Sequence, residues 1–356
     1  MKRRNLILSG LGITGALVVG WGVLPARSRL GKPDNMLPTE GDLALNGWIK
    51  IAKDGSVVLA MHRSDMGQGI HNALSMLVAE ELNVSLKQVR LEQAGHDAIY
   101  GNVAMFVGTL PFHPLASEGV EKPFMVKSGE WIVGKVAREL GVNATGGSSS
   151  VKDAWEQLRL AAATAKASLL LAAADQWKVP VQELTVKEGV VSHTSGKSAH
   201  FGEFAKGAAG QTPKNVSLKD RKDWTLIGQP EARADIPAKT NGSAVFGIDV
   251  RLPEMLYASV VQVPQIGGTL SSLDTKEALA MPGVVKCIQL TRAAGSAPGF
   301  AVVAKTTWHA KQAADKVKAQ WAQRTSGAID TKRIESELLD KLNTESGFTF
   351  HEQGDA

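Results

Sequence analysis

The stretch SVVLAMHRSDMGQGIHNALSMLVAEELN, residues 56–83, contains three successive patterns that predict a strand, a tight turn and a helix. Its first part carries apolar residues with a period of two, and its last part repeats them at helical spacing. The strand positions are Val57, Leu59 and Met61, and the helix positions are Leu74, Leu77, Val78 and Leu82. This strand–turn–helix segment is the centre of the predicted fold.

The turn consists of Gly67 and Gly69 on either side of Gln68. Glycine lets the backbone turn sharply and approach a ligand closely. The amides at the start of the following helix have no intrahelical acceptor and favour anions, and the Gln68 side chain offers a donor and an acceptor. The segment therefore fits a polar, phosphate-bearing cofactor. The alternative is that Gly67-Gln68-Gly69 only connects a strand to a helix.

A second glycine turn, Thr145-Gly146-Gly147-Ser148-Ser149-Ser150, precedes a long helix predicted over residues 151–177. Ser150 and Asp153 resemble a capping box with Asp in place of Glu, and the turn suits an oxyanion. The alternative is a flexible Gly/Ser linker. We expect the turns near positions 68 and 147 to converge in space, so that their amides hold one anionic organic cofactor.

The totals exclude several classes of function. The net charge of +5 comes from residues 1–34, because the rest of the 40 basic and 35 acidic residues balance. No basic face for nucleic acid is therefore indicated. The single cysteine, Cys287, excludes an internal disulfide, a cysteine-ligated iron–sulfur cluster, a zinc ribbon and an attached haem in this chain. Cys287 lies in an apolar run and is interpreted as a core residue.

The N-terminus resembles an export leader. Residues 5–26 carry no charge and follow Lys2-Arg3-Arg4. Paired arginines before an apolar run are typical of the twin-arginine route. Because Leu24-Pro25-Ala26-Arg27 is a poor cleavage site, an uncleaved membrane anchor is the alternative. Both readings predict a periplasmic protein or one anchored to the inner membrane and facing the periplasm.

The remaining pattern predicts an α+β chain without internal repeats. Residues 95–130 are expected to be irregular, and Pro, Gly and Asp over 31–45 predict a linker. Strands or hairpins are predicted over 46–62, 89–92, 184–192, 244–263, 285–290 and 300–306, and helices over 201–209, 274–280, 308–320 and 331–343.

Three other chemistries fit the sequence less well. A dinucleotide fingerprint at Gly67-Gln68-Gly69 lacks its third glycine, since Asn72 stands there, and the preceding strand is predicted to be a hairpin arm. His62, His71, His96 and His113 match no metal-ligand spacing, although His62 and His71 flank the glycine turn. No Gly-x-Ser-x-Gly motif and no assignable Ser/His/Asp set occurs.

An ordered series of motifs resembles the large molybdopterin-binding subunit of the xanthine dehydrogenase/aldehyde oxidase family, of the isoquinoline 1-oxidoreductase beta subunit type. The resemblance covers residues 45–325. Its motifs are Met66-Gly67-Gln68-Gly69, Val78-Ala79-Glu80-Glu81-Leu82, Thr145-Gly146-Gly147-Ser148-Ser149-Ser150, Trp155, Ile227-Gly228, Arg233-Ala234-Asp235, Lys239-Thr240-Asn241-Gly242, Phe246-Gly247-Ile248-Asp249-Val250 and Trp308.

This resemblance implies a molybdenum–molybdopterin cytosine dinucleotide cofactor. It also implies hydroxylation of an aldehyde or N-heterocycle with oxygen from water, and electron transfer to a [2Fe-2S] small subunit and a cytochrome c. Gln68, with Gly67 and Gly69, would lie by the metal and pterin end, and Gly146, Gly147, Ser148, Ser149 and Ser150 would help hold the phosphates. The implied domains are a leader or anchor (1–30), a linker (31–45), the first part of the cofactor-binding domain (46–227), a smaller α+β hammerhead-like domain (228–325) and the start of a truncated remainder (326–356).

The chain departs from the family pattern at three points. Asp65 stands where the family often has Glu, and Asn72 where it often has Thr. The sequence also stops about halfway along a normal family subunit, before the expected general-base glutamate, so no catalytic residue is assigned. We expect the N-terminal half of a molybdenum hydroxylase subunit, inactive unless a second polypeptide supplies the other half. The alternative is a membrane-tethered, non-enzymatic binding module that retains the fold.

Overall fold

The computed structural model describes residues 27–119, 121–291, 295–324, 330–348 and 354. The predicted leader over residues 1–26 lies outside them. The chain divides into two compact units, one ending at Ala244 and one beginning at Val245. Helices and strands are mixed in both units, which confirms the α+β class. Among the described residues no helix is both long enough and apolar enough to cross a membrane.

The first unit is built on a four-stranded sheet in the order β1-β2-β3-β4. Its strands are β1 (Leu43–Ala44), β2 (Ile49–Ile51), β3 (Val57–Met61) and β4 (Val89–Gln93), and helix α1 (Ile70–Leu82) connects β3 to β4. Strands β2 and β3 form the predicted antiparallel hairpin, whereas β3 and β4 are parallel, with Leu59 opposite Leu91. The expectation that β3 is only a hairpin arm is therefore wrong, because β3, α1 and β4 form a βαβ unit.

Three helices lie in the region expected to be irregular. They are α2 (Val103–Val107), α3 (Pro114–Ser117) and α4 (Phe124–Leu140), so the expectation of irregular chain is wrong at 103–107, 114–117 and 124–130. Two glycines, Gly129 and Gly134, interrupt the sequence pattern of α4. A Cβ at Gly129 would lie 3.0 Å from the Phe112 ring, so this position requires a close approach rather than a break in the helix.

Helix α5 (Ser150–Trp177) confirms the long helix predicted after the second glycine turn. Its face of small residues, including Ala161, Ala162 and Ala165, is fully buried and packs against α1. All five residues of β3 are buried as well. The core of this unit therefore fixes the sheet, α1 and α5 relative to one another, and it fixes the loops at their ends with them.

The rest of the first unit contains a second, three-stranded antiparallel sheet. It consists of β5 (Leu184–Lys187), β6 (Val190–His193) and β7 (Ser198–His200), followed by helices α6 (Phe201–Ala208) and α7 (Ile236–Thr240). The hairpin over 184–192 and the helix starting at Phe201 are confirmed. Within residues 31–45, β1 is paired and Met36 is buried.

The second unit contains a three-stranded sheet in the order β10-β11-β8 and a two-stranded sheet, β12-β9. Its elements are β8 (Tyr257–Gln262), β9 (Thr269–Asp274), α8 (Lys276–Leu279), β10 (Val284–Leu290), β11 (Gly299–Ala304), α9 (Thr307–Ala314), β12 (Lys318–Ala322) and α10 (Thr331–Thr344). Residues 244–256 are not a strand, and the helix predicted over 308–320 ends at Ala314, before β12. The hammerhead-like assignment of residues 228–325 stays a prediction.

Candidate functional site

The two glycine turns meet at one cavity of about 370 Å³. The Ser64 amide donates to the Thr145 hydroxyl at 3.0 Å and ties the segments together. The first segment contributes Met66, Gln68, Gly69, Ile70 and Ala73 to the lining, and the second contributes Thr145, Gly146, Gly147, Ser148, Ser150 and Val151. The structure thus brings together most of the residues predicted from the two motifs. Gly67 and Ser149 do not line this cavity.

The first turn directs its backbone amides to its own aspartate. The Asp65 carboxylate accepts hydrogen bonds from the Gly67 amide at 2.8 Å and from the His71 amide at 3.2 Å. Partial burial would raise the pKa of Asp65, but hydrogen bonds from the amides of Gly67, His71 and Gly69 lower it overall. Of the amides in the first turn of α1, that of His71 is therefore already bound by a side chain that precedes the turn.

Gln68 also makes its hydrogen bonds inside the turn. Its Oε1 accepts from the Met66 amide, and its Nε2 donates to the Ser64 carbonyl at 3.0 Å. Gly67 and Gly69 have φ values of 99° and 82°, which side-chain-bearing residues rarely adopt. The turn therefore has a defined shape of its own, and Gln68 reaches a ligand only by exchanging these bonds.

Arg233 fastens a distant segment to the first turn. Its Nη1 donates to the Gly67 carbonyl at 2.8 Å, and its Nη2 lies 2.7 Å from Asp235 and 3.6 Å from Asp65. The sequence marked Arg233 only as part of a family motif, since nothing in its spacing places it beside Gly67. A larger cavity of about 500 Å³ lies here, lined by Asp65, His71 and Arg233 among others.

The second turn is open towards its cavity. Gly147 and Ser148 have φ values of 60° and 51°. A Cβ added at Gly146 or Gly147 would meet no atom within 4 Å, so the backbone there is accessible to a ligand. Ser149 is buried instead: its hydroxyl donates to the Gly146 carbonyl at 2.6 Å and accepts from Asn102 at 2.7 Å. Ser149 therefore holds the shape of the turn.

Helix α5 begins beside this cavity without the predicted capping box. No side chain caps its N-terminus at Ser149, so the amides of its first turn have neither a side-chain cap nor an intrahelical acceptor. Asp153 turns away from the helix start and accepts from Arg29 and Arg63. The second glycine turn therefore keeps amide donors that an anion can use.

Asp153 is the centre of a buried charge cluster near the second turn. It lies 2.8 Å from both Arg29 and Arg63, and it accepts hydrogen bonds from the amides of Val103 and Ala104. Two guanidinium groups on one carboxylate leave a net positive charge in the cluster. Arg63 Nη1 also donates a hydrogen bond to Asn143 Oδ1 at 2.6 Å, and Asn143 lies just before the second turn. No pattern in the sequence pointed to Arg63, and Arg29 was counted only among the leader charges.

The two histidines that flank the first turn have structural surroundings. His62 is buried, packs edge-on against Trp48, and has no hydrogen-bond partner for its ring nitrogens among the described residues. Burial holds the pKa of His62 well below its usual value, and the nearby charges of Arg63 and Arg29 lower it further. The imidazole is therefore neutral. His71 Nε2 lies 2.9 Å from the Arg63 carbonyl oxygen. The described residues contain no cluster of three or more metal-ligating side chains.

Comparison with known proteins gives one family match and several relatives. The model of the molybdopterin cofactor-binding domain matches residues 12–104. The beta subunit of isoquinoline 1-oxidoreductase from Brevundimonas diminuta is 29% identical over 96% of this chain and 43% of its own length. The membrane-bound aldehyde dehydrogenase [pyrroloquinoline-quinone] of Gluconacetobacter polyoxogenes is 27% identical, over 99% of this chain and 42% of its own length. The B subunit of nicotinate dehydrogenase from Pseudomonas putida is 26% identical, over 96% of this chain and 25% of its own length.

Solved structures with similarity to part of the chain include the Cu,Mo-CO dehydrogenase, with a TM-score of 0.23 and 24% identity, covering 27% of this chain and 15% of that one. Quinoline 2-oxidoreductase from Pseudomonas putida 86 has a TM-score of 0.22 and 19% identity, and the match covers 27% of this chain and 16% of that one. The family match and the relatives confirm the resemblance to molybdopterin-binding subunits of the xanthine dehydrogenase/aldehyde oxidase family. The chain spans less than half the length of each curated relative named here.

Proposed function

We propose that this chain forms one wall of a molybdopterin-cofactor site in a molybdenum hydroxylase that oxidises an aldehyde or an N-heterocycle. The observation that carries the proposal is the shared cavity, where two glycine turns from segments about 80 residues apart face one space. One glycine turn is a common connection, but two turns converging on one cavity suit a ligand with several polar groups.

The residues of the second turn fit the phosphates of such a cofactor. Gly146 and Gly147 leave room where a Cβ would otherwise stand, and the start of α5 offers unpaired amides. The helix dipole of α5 and the net charge of the Arg29–Asp153–Arg63 cluster both favour an anion. The backbone from Gly146 to Ser148 and the Ser150 amide and hydroxyl would hold the phosphates. The cytosine dinucleotide form is the one that the resemblance implies.

The residues of the first turn would orient the pterin end of the cofactor. Gln68 and Gly69 line the cavity, while Asp65 and Arg233 keep the turn in shape from behind. When bound, the cofactor supplies the two-electron redox centre of the reaction. Among the described residues, no carboxylate or histidine lines this cavity, so the contribution of the lining residues is to bind and to orient rather than to move a proton.

We further propose that a second polypeptide completes the site. Its chemistry corresponds to the part of the relatives that this chain does not span, which includes the expected general-base glutamate and the contacts with substrate. Alone, the chain then binds cofactor weakly and is inactive. A [2Fe-2S] subunit and a cytochrome c would accept the electrons. The leader would place the assembly in the periplasm or on the periplasmic side of the inner membrane.

The test is cofactor retention by the full chain. It is expressed in a host that makes the molybdenum cofactor, with and without the polypeptide encoded by the adjacent reading frame. We expect molybdenum by elemental analysis, and cytidine monophosphate after hydrolysis, only when both polypeptides are present. The same complex should reduce a dye with aldehydes or N-heterocycles. A folded chain that acquires no molybdenum with any pairing would support the non-enzymatic, membrane-tethered module instead.

A matched pair of variants distinguishes an effect on the cavity from an effect on folding. Gly147 and Gly196 both have positive φ and open space at the Cβ position, but only Gly147 lines the cavity. Asp is among the side chains that tolerate this conformation best. Gly147→Asp should lower molybdenum content by about tenfold, because a carboxylate repels phosphate, whereas Gly196→Asp should leave it unchanged. Equal losses in both variants would remove the second turn from the site.

A further inference from the structure

A cavity of about 340 Å³ lies beside the middle of helix α5, between that helix and the irregular segment at residues 214–219. Its walls combine apolar side chains, including Leu170 and Leu218, with three lysine side chains. Lys166 of this lining lies sixteen residues after Ser150, so about 24 Å of helix separates it from the second glycine turn. We call this space the lysine cavity, and it is distinct from the cavity at the glycine turns.

The carboxylates nearest to the lysine cavity already have cationic partners. Glu81, which lines it, accepts from Arg159 Nε at 2.8 Å and from the Lys219 amide at 3.1 Å. Glu80 pairs with Lys219 Nζ at 2.7 Å. The charges of these two carboxylates and of these two cations therefore balance, and any further lysine at the cavity adds an uncompensated positive charge.

Lys166 adds such a charge. Its side chain is partly buried, and its hydrogen bond within the described part of the chain goes to the neutral side-chain oxygen of Asn83 at 3.1 Å. An ammonium group carries three donors, so two of them have no protein acceptor among the described residues. Burial and then the charge of Lys219 lower the pKa of Lys166, although Glu81 and Glu80 raise it in part. The surroundings of Lys166 therefore lack negative charge.

The segment at residues 214–219 adds further donors to the same cavity. Lys214 is exposed and pairs with no carboxylate in the part of the chain that the structure describes. The four backbone amides from Asn215 to Leu218 have no acceptor there either. Asn215 has a φ of 56°, which residues with side chains rarely adopt. Backbone N–H groups without a protein acceptor bond to water or to a ligand.

We propose that the lysine cavity binds the anionic group of a small molecule, a phosphate or a carboxylate, with the apolar part of that molecule against Leu170 and Leu218. One oxyanion would compensate Lys166 and Lys214 together and would accept from the free amides of the segment. The apolar walls strengthen this attraction because they lower the local dielectric constant. The inference does not depend on the cofactor proposal, since the two cavities share none of their described lining residues.

The experiment measures the binding of two probe anions to the full chain by calorimetry at constant ionic strength. Inorganic phosphate tests the oxyanion alone, and hexanoate tests a carboxylate with an apolar tail. We expect saturable binding with a Kd of about 1 mM. Lys166→Met keeps an unbranched apolar side chain but removes the charge, and it should weaken binding about tenfold. Lys206→Met, on the exposed face of α6, is the matched control and should bind as the wild type does.

A second measurement locates the bound anion. Trace acetylation followed by mass spectrometry gives the reactivity of each lysine. At saturation, the anion should slow acetylation of Lys166 and Lys214 about fivefold, because it raises their pKa values and covers them, and should leave Lys206 unchanged. Protection by phosphate alone would identify a phosphate-bearing ligand. Stronger protection by hexanoate would identify a carboxylate with an apolar chain.

Two results would overturn the proposal. One is an anion affinity of Lys166→Met equal to that of the wild type. The other is acetylation of Lys166 that neither anion slows. Lys214→Met covers the case in which Lys166→Met does not fold, because Lys214 is exposed and its replacement leaves the core intact. This variant should weaken binding about threefold, and an unchanged affinity would count equally against the site.

Discussion

At the scale of the residue, Glu80 is a buried carboxylate on α1 with an unusually full set of donors. It accepts from Lys219 Nζ at 2.7 Å, from the Thr225 amide at 2.8 Å and from the Leu226 amide at 2.7 Å. Burial alone would raise the pKa of Glu80, but these hydrogen bonds lower it to about 2. One side chain thus holds the segment at 219–227 against α1.

We predict that Glu80→Gln lowers the free energy of unfolding by about 1 to 3 kcal/mol at neutral pH, since it weakens the hydrogen bonds of a buried carboxylate and leaves the partly buried Lys219 beside a neutral group. Because the pKa of Glu80 is lower in the folded chain than the ordinary value of 4.5, its stabilisation is complete above that pH and is lost as the pH falls towards 2. Denaturant titrations at several pH values should therefore show a shallower acid dependence for Glu80→Gln than for the wild type. Glu203→Gln, on the exposed surface of α6, should change stability by no more than about 0.5 kcal/mol.

Sequence reasoning reached the glycines of the site but not the side chains that surround them. Positive φ is a property of the local chain, so the roles of Gly67, Gly69 and Gly147 could be inferred from spacing. The Asp65 hydrogen bonds are local, and an Asp two residues before Gly67 is a turn signal that could have revealed them. The bond from Arg233 to the Gly67 carbonyl joins positions 166 residues apart and depends on which segments the fold brings together. Contacts at such separations leave no periodic signal in one sequence.

At the scale of the element, the start of α5 depends on Asp153. This carboxylate joins Arg29, Arg63 and the amides at the start of α2, so it ties together the N-terminal entry, the end of β3 and two helices. The α5 helix therefore begins at a buried junction rather than at an exposed cap.

We predict that Asp153→Asn lowers stability by about 3 to 5 kcal/mol, because two guanidinium groups remain buried without a counter-ion. The amides of Val103 and Ala104 should also exchange hydrogen faster. Glu156→Gln, on the exposed side of the same helix, is the matched control and should behave like the wild type. Unfolding midpoints that agree within error for the two variants would contradict this role of Asp153.

Helices and strands with one buried face were predicted from the sequence. Elements without a clearly buried face were missed. Strand β3, α1 and α5 lie in the core, so their apolar period matches their geometry. Helix α4 buries only Val126, Lys135 and Ala137 and exposes apolar residues, which removes the periodic contrast that identifies a helix. The short paired strands β9 and β12 bury little of their side-chain surface. The parallel pairing of β3 with β4 was missed because the hairpin already accounted for β3.

At the scale of the whole molecule, the two units have separate cores. The first core surrounds Trp48, Leu59 and Leu158, and the second contains Phe300, Val302 and Ala313. Cys287 lies on β10 of the second unit, where burial raises the pKa of its thiol. Cys287 is partly buried against the second core, so thiol labelling should become faster when the second unit opens.

We predict that the two units unfold in separate transitions. Glu80→Gln should lower the denaturant midpoint at which the β3 amides exchange, and should leave the midpoint of Cys287 labelling unchanged. Phe300→Ala removes a buried ring of the second core at a cost of about 3 to 5 kcal/mol, and should have the reverse effect. A common shift of both midpoints in either variant would show that the units unfold as one.

The attachment of Arg29 also sets the reach of the N-terminus. Only three peptide units separate Ala26, the last residue of the charge-free run, from Arg29, and three extended residues span at most about 10 Å. Were the charge-free run held in a bilayer, as proposed above, so short a tether would keep the first unit at a high effective concentration at the lipid surface, because contact would be an intramolecular event. Even a surface of this unit with weak intrinsic affinity for lipid would then stay in contact with it, while the same unit on a released chain would dissociate.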